Sequence, residues 1–187
     1  LEEIQKSNPK SFLEIGVFHG VTARNVCELM NKNHGSNFSY TGIDIFEDGD
    51  EYKDEVAPVK TFNNPLKNFY FKYIKKQNPY SLEAVEDLLS KFKKNITLFK
   101  GNSNEILKNI EIEKVDFIFI DGGHEYNTVK NDLFHSHRLL RNKGTILCDD
   151  LNLSQALGVR RAIKEFSEEN KIKYETVHER FAKFDFN

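Results

Sequence analysis

Short apolar segments that favour β-strands alternate with helical patterns along most of the chain. Five strands are predicted, each bounded by glycine or polar residues, at 12–16, 40–46, 96–99, 115–120 and 144–148. The fourth of these segments is almost continuously apolar, which is typical of a central parallel strand covered on both faces. Alternation of strands and helices predicts an α/β fold, a doubly wound, mostly parallel sheet with helices on both faces.

The segments between the predicted strands have the spacing of apolar residues that is typical of helices. One helix is expected over 22–32, and another follows the fourth strand and ends near Gly144. A third follows the fifth strand, where apolar residues recur at i, i+3, i+4 and i+7. The final segments, 174–177 and 181–186, are predicted to be two antiparallel strands, the second of which alternates with a period of two, and to form a hairpin at one edge of the sheet.

Residues 47–80 are predicted to be a helical insertion after the second strand. An acidic loop comes first, and a helix begins at Asn64-Pro65. Apolar residues form a stripe on this helix, which we interpret as core-facing, with the interleaved lysines solvated: Leu66, Phe69, Tyr70, Tyr73 and Ile74. Two interpretations of the insertion remain open, a lid over a binding site and a packed surface helix. A second helix, starting at Ser81, is the expected crossover to the third strand.

Composition narrows the class of protein. A chain of 187 residues with 39% hydrophobic and 30% charged residues is expected to form a single globular domain over 1–187. The net charge of −2 argues against a dedicated nucleic-acid-binding protein, and no apolar run approaches the ~18 residues that span a membrane. Two cysteines form no disulfide framework, so the reducing cytoplasm is the expected location.

Polar and glycine residues collect where the predicted strands end, which is where open parallel sheets bind ligands. After the first strand the chain reads E-x-G-x-x-x-G, with Glu14, Gly16 and Gly20. Asp44 follows 24 residues after Gly20, where a carboxylate can accept hydrogen bonds from ribose hydroxyls. The turn lacks the G-x-G-x-x-G of dinucleotide sites, so it suits a nucleoside without phosphates. Two glycines in such a turn also have a purely structural interpretation.

Three carboxylates form a second candidate site. Asp121 ends the fourth strand, and Asp149 with Asp150 ends the fifth. Carboxylates that converge in one cleft repel each other unless a cation lies between them, and Mg²⁺ prefers such oxygen ligands. Mn²⁺ or Ca²⁺ could substitute. The structural alternative is that Asp121 caps the following helix while the other two aspartates solvate a loop.

The strand-end motifs resemble, in order, those of class I S-adenosylmethionine-dependent methyltransferases. The matching segments are FLEIGVFHG, YTGIDIF, FKGNS, VDFIFIDGGH and GTILCDDL, and the resemblance covers residues 11–187. The chain is most similar to the metal-dependent O-methyltransferase branch, which includes catechol and macrocin O-methyltransferase-like enzymes. The resemblance implies a Rossmann-like, seven-stranded sheet with an antiparallel last strand.

The same resemblance implies roles for single residues. Glu14, Gly16 and Gly20 would line the methionine end of S-adenosylmethionine, and Asp44 would hold the ribose hydroxyls. Asn102 and Ser103 would border the adenine. Asp121 would contribute both to this cofactor site and, with Asp149 and Asp150, to the metal site. The insertion has no counterpart that aligns, so the resemblance assigns no substrate contacts.

His124 is the candidate general base. It lies three residues after Asp121, beyond two glycines, so its imidazole can turn into the same cleft and accept a proton near neutral pH. In the enzymes that the chain resembles, the residue at this position is lysine or histidine in that role. The alternative is that His124 caps or packs against the following helix. His178 and Arg180 lie in the terminal turn, and no spacing argument assigns them a role.

The leading hypothesis is an S-adenosylmethionine-dependent methyltransferase that methylates, with Mg²⁺ or another divalent cation, a small hydroxylated molecule such as a sugar, glycoside or catechol-like compound. One alternative is a nicotinamide-dependent oxidoreductase, against which the missing G-x-G-x-x-G counts. Another is a non-catalytic nucleoside-binding module on the same fold. A small-molecule substrate is the expected partner, and both monomer and homo-oligomer remain open.

Overall fold

The computed structural model describes residues 1–46, 64–75 and 78–186, which include seven strands in one sheet. The strands are β1 (Ser11–Ile15), β2 (Ser39–Asp44), β3 (Ile96–Lys100), β4 (Val115–Ile120), β5 (Leu140–Cys148), β6 (Glu175–Val177) and β7 (Phe181–Asp185). Their order is β3-β2-β1-β4-β5-β7-β6, with parallel pairing up to β5 and antiparallel pairing of β7 with both β5 and β6. The predicted fold class, including the antiparallel last strand, is confirmed.

Helices cover both faces of the sheet. They are α1 (Glu2–Ser7), α2 (Val21–His34), α3 (Pro65–Phe69) with a π-helical continuation (Tyr70–Lys75), α4 (Leu82–Leu88) followed by a 3-10 turn (Ser90–Phe92), α5 (Ser103–Asn109), α6 (Tyr126–Leu139) and α7 (Leu157–Asn170). The sequence patterns did not predict α1 or α5, which are both short. Among the described helices, none is both long enough and apolar enough to cross a bilayer.

Two apolar layers explain why the strands are buried on both faces. One layer joins α5, α6 and α7 to the sheet through side chains such as Leu107, Leu133 and Ile163. The other joins α1, α2 and α4 to the opposite face through side chains such as Val26 and Val85. A sheet covered in this way presents only its edges and strand ends to ligands, which places any site at the strand ends.

The predicted end of the helix after β4 is corrected. Gly144 does not stop this helix, because α6 ends at Leu139 and Gly144 lies inside β5. A Cβ at Gly144 would lie 2.7 Å from the Leu140 side chain and 2.9 Å from the Asp116 carbonyl oxygen. The glycine therefore allows β5 to approach β4 closely.

The interpretation of the insertion helix as core-facing is wrong. The five side chains of the predicted stripe are 42–77% exposed: Leu66, Phe69, Tyr70, Tyr73 and Ile74. Helical spacing shows which side chains share a face but not whether another element covers it, and the π-helical turn from Tyr70 changes the spacing itself. Residues 47–63 and 76–77 lie outside the described residues, so the lid interpretation stays a prediction.

Candidate functional site

The strand ends are held together by backbone hydrogen bonds that continue the sheet into the loops. In each case the first residue of a loop donates its N–H to the last residues of the neighbouring strand, at 2.8–2.9 Å: Gly16 to Ile43, Gly101 to Asp44, Asp121 to Ile15 and Asp149 to Ile120. Because β1 and β4 are neighbours in the sheet but not in the chain, the strand order reverses between them. Ligands bind at such a switch point in open α/β sheets.

The predicted cofactor turn contacts the end of β4 directly. Gly16 has φ +93°, and a Cβ on it would lie 2.1 Å from the Asp121 carbonyl oxygen. Gly20 has φ +74°, precedes α2, and packs against Val85 of α4, to which a Cβ would come within 3.0 Å. Both glycines are therefore required by the backbone path, and Gly16 brings the turn against Asp121.

Asp44 ties the end of β2 to this turn. One carboxylate oxygen accepts the N–H of Phe18 at 2.7 Å and the other accepts the N–H of Phe46 at 2.9 Å. Phe18 and Phe46 have φ of 53° and 49°, so the carboxylate supports two left-handed residues. Each oxygen still has acceptor capacity for one hydroxyl, which is what a ribose would need.

Glu14 is placed away from solvent. Its side chain is buried in β1 and accepts a hydrogen bond from the Tyr40 hydroxyl on β2. Burial raises the pKa of Glu14 to about 8, against an ordinary value of 4.5, although the bond from Tyr40 lowers it. The structure thus gives Glu14 a role inside the sheet, next to the glycine turn.

The adenine candidates lie at the start of α5. Asn102 is its N-cap, and the side-chain oxygen accepts the N–H of Asn104 at 2.9 Å. Ser103 lies beside Asp132, a buried carboxyl on α6 whose pKa is raised to about 7 by burial. Neither residue lines the cavity at Asp121.

The structure brings Asp121, Asp149, Asp150 and His124 together. All four line a cavity of about 10 Å³ at the ends of β4 and β5, with α6 and α7 beneath it. His124 Nε2 lies 2.9 Å from Asp150 Oδ2. Gly158 of α7 packs on the backbone of His124, since a Cβ there would lie 2.8 Å from the His124 carbonyl oxygen.

The three carboxyl groups differ in their electrostatics. Burial, with repulsion from Asp149 and Asp150, raises the pKa of Asp121 to about 7. The hydrogen bond with His124 lowers the pKa of Asp150. Burial raises the pKa of Asp149, while its hydrogen bonds from Arg180 act in the opposite direction. Asp150 is thus a carboxylate beside the His124 imidazole, and it lies next to Asp121, whose raised pKa favours its protonated form. Neighbouring groups with such different pKa values are suited to proton transfer.

Arg180 is the residue of this site that spacing did not identify. Its Nε and one terminal nitrogen donate to the two oxygens of Asp149, whose side chain is 3% exposed. The antiparallel register explains the contact, because Cys148 faces Ala182 and the same register, continued outward, places Asp149 opposite Phe181 and Asp150 opposite Arg180. Arg180 is therefore one position away from Asp149 across the two strands. The sequence would have predicted this contact only if the register of the terminal hairpin against β5 had been known.

An aromatic cluster beside the glycine turn was also missed. The ring of Phe18 lies 4.4 Å from that of His19 and 4.7 Å from that of Tyr80, between ring centroids. Tyr80 is buried and comes from the segment that precedes α4. No local pattern predicts this contact, since it joins residues 62 positions apart in the sequence.

The side chains at the predicted metal site are not arranged as a set of metal ligands. Throughout the residues that the structure describes, no group of three or more His, Cys, Asp or Glu side chains is arranged to hold a metal ion. Asp149 gives a reason, because Arg180 already occupies both of its oxygens.

Solved structures with the same fold include several O-methyltransferases. The O-methyltransferase NovP matches with a TM-score of 0.68 and 14% identity, over 100% of this chain and 78% of that one. CalS11, a TDP-rhamnose 3'-O-methyltransferase, matches with a TM-score of 0.64 and 15% identity, over 100% and 76%. The O-methyltransferase from Bacillus cereus, in complex with S-adenosylhomocysteine, matches with a TM-score of 0.59 and 14% identity, over 98% and 76%.

Comparison at the level of sequence identifies the family. No curated protein matches the chain. The sequence profile described as "Methyltransferase domain" matches residues 13–151, which run from β1 to the loop after β5 and contain the glycine turn, Asp44 and the carboxylates. The chain therefore belongs to the methyltransferase-domain family, which confirms its resemblance to the class I S-adenosylmethionine-dependent methyltransferases.

Proposed function

We propose that this methyltransferase transfers a methyl group from S-adenosylmethionine to a hydroxyl of a small molecule, with His124 as the general base. The observation that carries the proposal is the hydrogen-bonded pair of His124 and Asp150 beside Asp121. This pair lies where the end of β4 meets the glycine turn. A proton acceptor is thus held next to the predicted cofactor site.

The residues of the glycine turn and Asp44 fit the cofactor. Asp44 offers two carboxylate oxygens at the end of β2, next to the glycine turn, each with acceptor capacity left for a ribose hydroxyl. Gly16 and Gly20 shape the turn in front of them, and Asn102 and Ser103 would border the adenine. When bound, S-adenosylmethionine supplies an electrophilic methyl group on sulfur.

The tautomer of neutral His124 follows from its partner. Asp150 has a lowered pKa and is therefore a carboxylate, which only accepts hydrogen bonds. In the neutral imidazole, Nε2 of His124 then carries the proton of the shared hydrogen bond, and the lone pair lies on Nδ1. A neutral hydroxyl is a weak nucleophile, and removing its proton at Nδ1 would activate it for attack.

The carboxylates do not fit Mg²⁺ in their present arrangement. Both Asp149 oxygens accept from Arg180, and Oδ1 also accepts the N–H of Asp150 at 2.6 Å. Asp150 Oδ2 is bound to His124. A metal ion would have to break these contacts to take the ligands that the sequence assigned to it, so no step of the proposed reaction uses one.

The chemical class of the methyl acceptor can be tested by an assay of methyl transfer. One structural neighbour is named for a TDP-linked sugar, which supports sugar hydroxyls as candidates. Radiolabelled methyl transfer should be measured with a catechol, a simple glycoside and a TDP-linked deoxysugar. We expect labelled O-methyl ether and S-adenosylhomocysteine with at least one of these classes.

Two other results would contradict the proposal. Binding of NAD in place of S-adenosylhomocysteine would indicate a nicotinamide-dependent oxidoreductase. Binding of S-adenosylhomocysteine without transfer to any of the three classes, under conditions where the folded protein is verified, would indicate a non-catalytic nucleoside-binding module.

A further inference from the structure

The guanidinium of Arg180 lies on the carboxylate cluster as a charge partner. It donates two hydrogen bonds to Asp149, and a terminal nitrogen lies 3.8 Å from Asp150 Oδ1. Its positive charge also lowers the pKa of Asp121, against the stronger effect of burial. One arginine therefore contacts Asp149 and Asp150 and also acts electrostatically on Asp121, the three carboxyl groups that the sequence assigned to a divalent cation.

The backbone fixes this arginine in place. The turn between β6 and β7 contains His178 and Glu179 with φ of 50° and 55°. The carbonyl oxygen of Arg180 accepts the N–H of Leu151 at 2.9 Å. The Glu179 carbonyl oxygen accepts from the Asn152 side chain at 2.7 Å. The hairpin turn is thus bound to the loop that carries Asp149 and Asp150.

A divalent cation and this guanidinium compete for the same oxygens. Asp149 is 3% exposed in its side chain, so it has few alternatives for compensating its charge. A bidentate pair with arginine supplies both charge and fixed geometry. A Mg²⁺ ion at Asp121 and Asp149 would displace these hydrogen bonds and would also lie close to a like charge.

We infer that Arg180 is the built-in counter-cation of this carboxylate cluster, and that it takes the place of a divalent metal ion in the site. The inference rests on the proposed function, which it deepens: the chain would position its acceptor by Arg180, Asp150 and His124 without a metal. Arg180 acts through Asp149 and Asp150 and is a positioning residue.

Binding of Mn²⁺, followed by electron paramagnetic resonance, tests this inference without an acceptor. The wild type should bind Mn²⁺ weakly, and Arg180→Ala should bind it at least about tenfold more tightly because three carboxylates lose their counter-charge. Arg180→Lys, which keeps a charge but lacks the planar fork, should lie between the two. S-adenosylhomocysteine affinity should stay within about threefold in all of them.

Arg141→Ala is the matched control. Arg141 pairs with Asp116 at 3.2 Å near the opposite end of the same strands, and its removal should leave Mn²⁺ affinity unchanged. The inference is overturned if the wild type binds Mn²⁺ as tightly as Arg180→Ala, or if neither Arg180→Ala nor Arg180→Lys gains affinity while their melting curves show a folded protein.

Methyl transfer separates this inference from the proposed function. With an accepted substrate, wild-type turnover should be insensitive to a chelator, and Mg²⁺ should partly restore turnover in Arg180→Ala. A chelator that abolishes wild-type turnover would overturn the inference and leave methyl transfer established. Absence of both methyl transfer and S-adenosylhomocysteine binding would instead overturn the proposed function.

Discussion

The hydrogen bond between His124 and Asp150 is the residue-level feature on which the proposed chemistry depends. His124→Ala removes the proton acceptor and should reduce turnover about 10²–10⁴-fold. S-adenosylhomocysteine affinity should hardly change, because His124 is not among the residues expected to bind the cofactor. Steady-state kinetics with a verified acceptor and calorimetry with S-adenosylhomocysteine provide the two measurements.

A histidine outside the cavity provides the control for this prediction. His178→Ala removes a side chain that lies on the terminal turn and is 61% exposed, and turnover should be retained. If His124→Ala remains within threefold of the wild-type turnover, His124 is not the base.

The buried carboxyl of Glu14 predicts a pH-dependent stability. Because its pKa is about 8 in the folded protein and 4.5 is its ordinary value, the folded state retains a proton that the unfolded chain loses between these pH values. The free energy of unfolding should therefore fall as the pH rises from about 4.5 to about 8, by at most about 1.4 kcal/mol per pH unit.

Glu14→Gln should remove this pH dependence. The amide keeps an acceptor for the Tyr40 hydroxyl but does not titrate, so the variant should gain stability relative to the wild type as the pH rises. Urea denaturation at pH 5.5 and pH 8 measures the difference. The exposed Glu105→Gln is the control, and a Glu14→Gln advantage that is equal at both pH values would contradict the account.

The turn between β1 and α2 is the element in which the site tolerates a change of geometry least. Gly16→Ala would strain a positive φ and would also push a Cβ into the Asp121 carbonyl. Gly35 caps the C-terminus of α2 and has a φ of +60°, so Gly35→Ala is also strained, but the added Cβ would have no atom within 4 Å. We expect about 1–3 kcal/mol of destabilisation from strain in both, and about 1–3 kcal/mol more for Gly16→Ala.

Urea denaturation and calorimetry with S-adenosylhomocysteine distinguish the two glycine variants. Only Gly16→Ala should lose affinity, because only that turn contacts the end of β4. Equal destabilisation and unchanged affinity in both variants would show that the contact between Gly16 and Asp121 can accommodate a Cβ and is not needed for cofactor binding.

Leucines in α3 and after α4 should respond very differently to truncation. Leu89 is 0% exposed, and Leu89→Ala should destabilise the protein by about 2–5 kcal/mol. Leu66 is 77% exposed, and Leu66→Ala should change stability by no more than about 0.5 kcal/mol. A large loss for Leu66→Ala in chemical denaturation would show that the stripe on α3 is covered, as its spacing alone had suggested.

These elements also show which parts of the fold a sequence can predict. The strands are predictable because each is a buried apolar run with β-branched or aromatic residues, as in β4. The short helix α5 contains one fully buried apolar side chain, Leu107, and so has little periodicity. The stripe on α3 has the periodicity but not the burial, because burial depends on the neighbouring elements.

At the scale of the whole molecule, the sequence indicates the site through topology more than through contacts. Parallel strands end at one edge, so Asp44, Asp121 and Asp149 were expected to converge there. The contacts that set their chemistry come from distant segments, such as Arg180 on Asp149 and Tyr40 on Glu14. Such contacts depend on the register between strands, which local patterns do not encode.

Two aspartates near opposite ends of the parallel strands make similar hydrogen bonds to the backbone. Asp44 at the carboxyl edge accepts two backbone N–H groups, and so does Asp116 near the amino edge, from Lys10 and Ser11. Replacing either with asparagine weakens two hydrogen bonds from backbone N–H groups, and Asp116→Asn also weakens the ion pair with Arg141. Asp116→Asn should therefore lower stability at least as much as Asp44→Asn. Only Asp44 lies where the cofactor is expected.

Calorimetric titration with S-adenosylhomocysteine tests the central claim most directly, on the wild type, Asp44→Asn and Asp116→Asn, with NAD as the competing ligand. We expect the wild type and Asp116→Asn to bind S-adenosylhomocysteine at one site and not to bind NAD. Asp44→Asn should bind at least about tenfold more weakly, since a charge-assisted hydrogen bond contributes about 1.5–3 kcal/mol. Equal affinity in Asp44→Asn and Asp116→Asn, or binding of NAD instead, would contradict the assignment of this edge as a methyltransferase cofactor site.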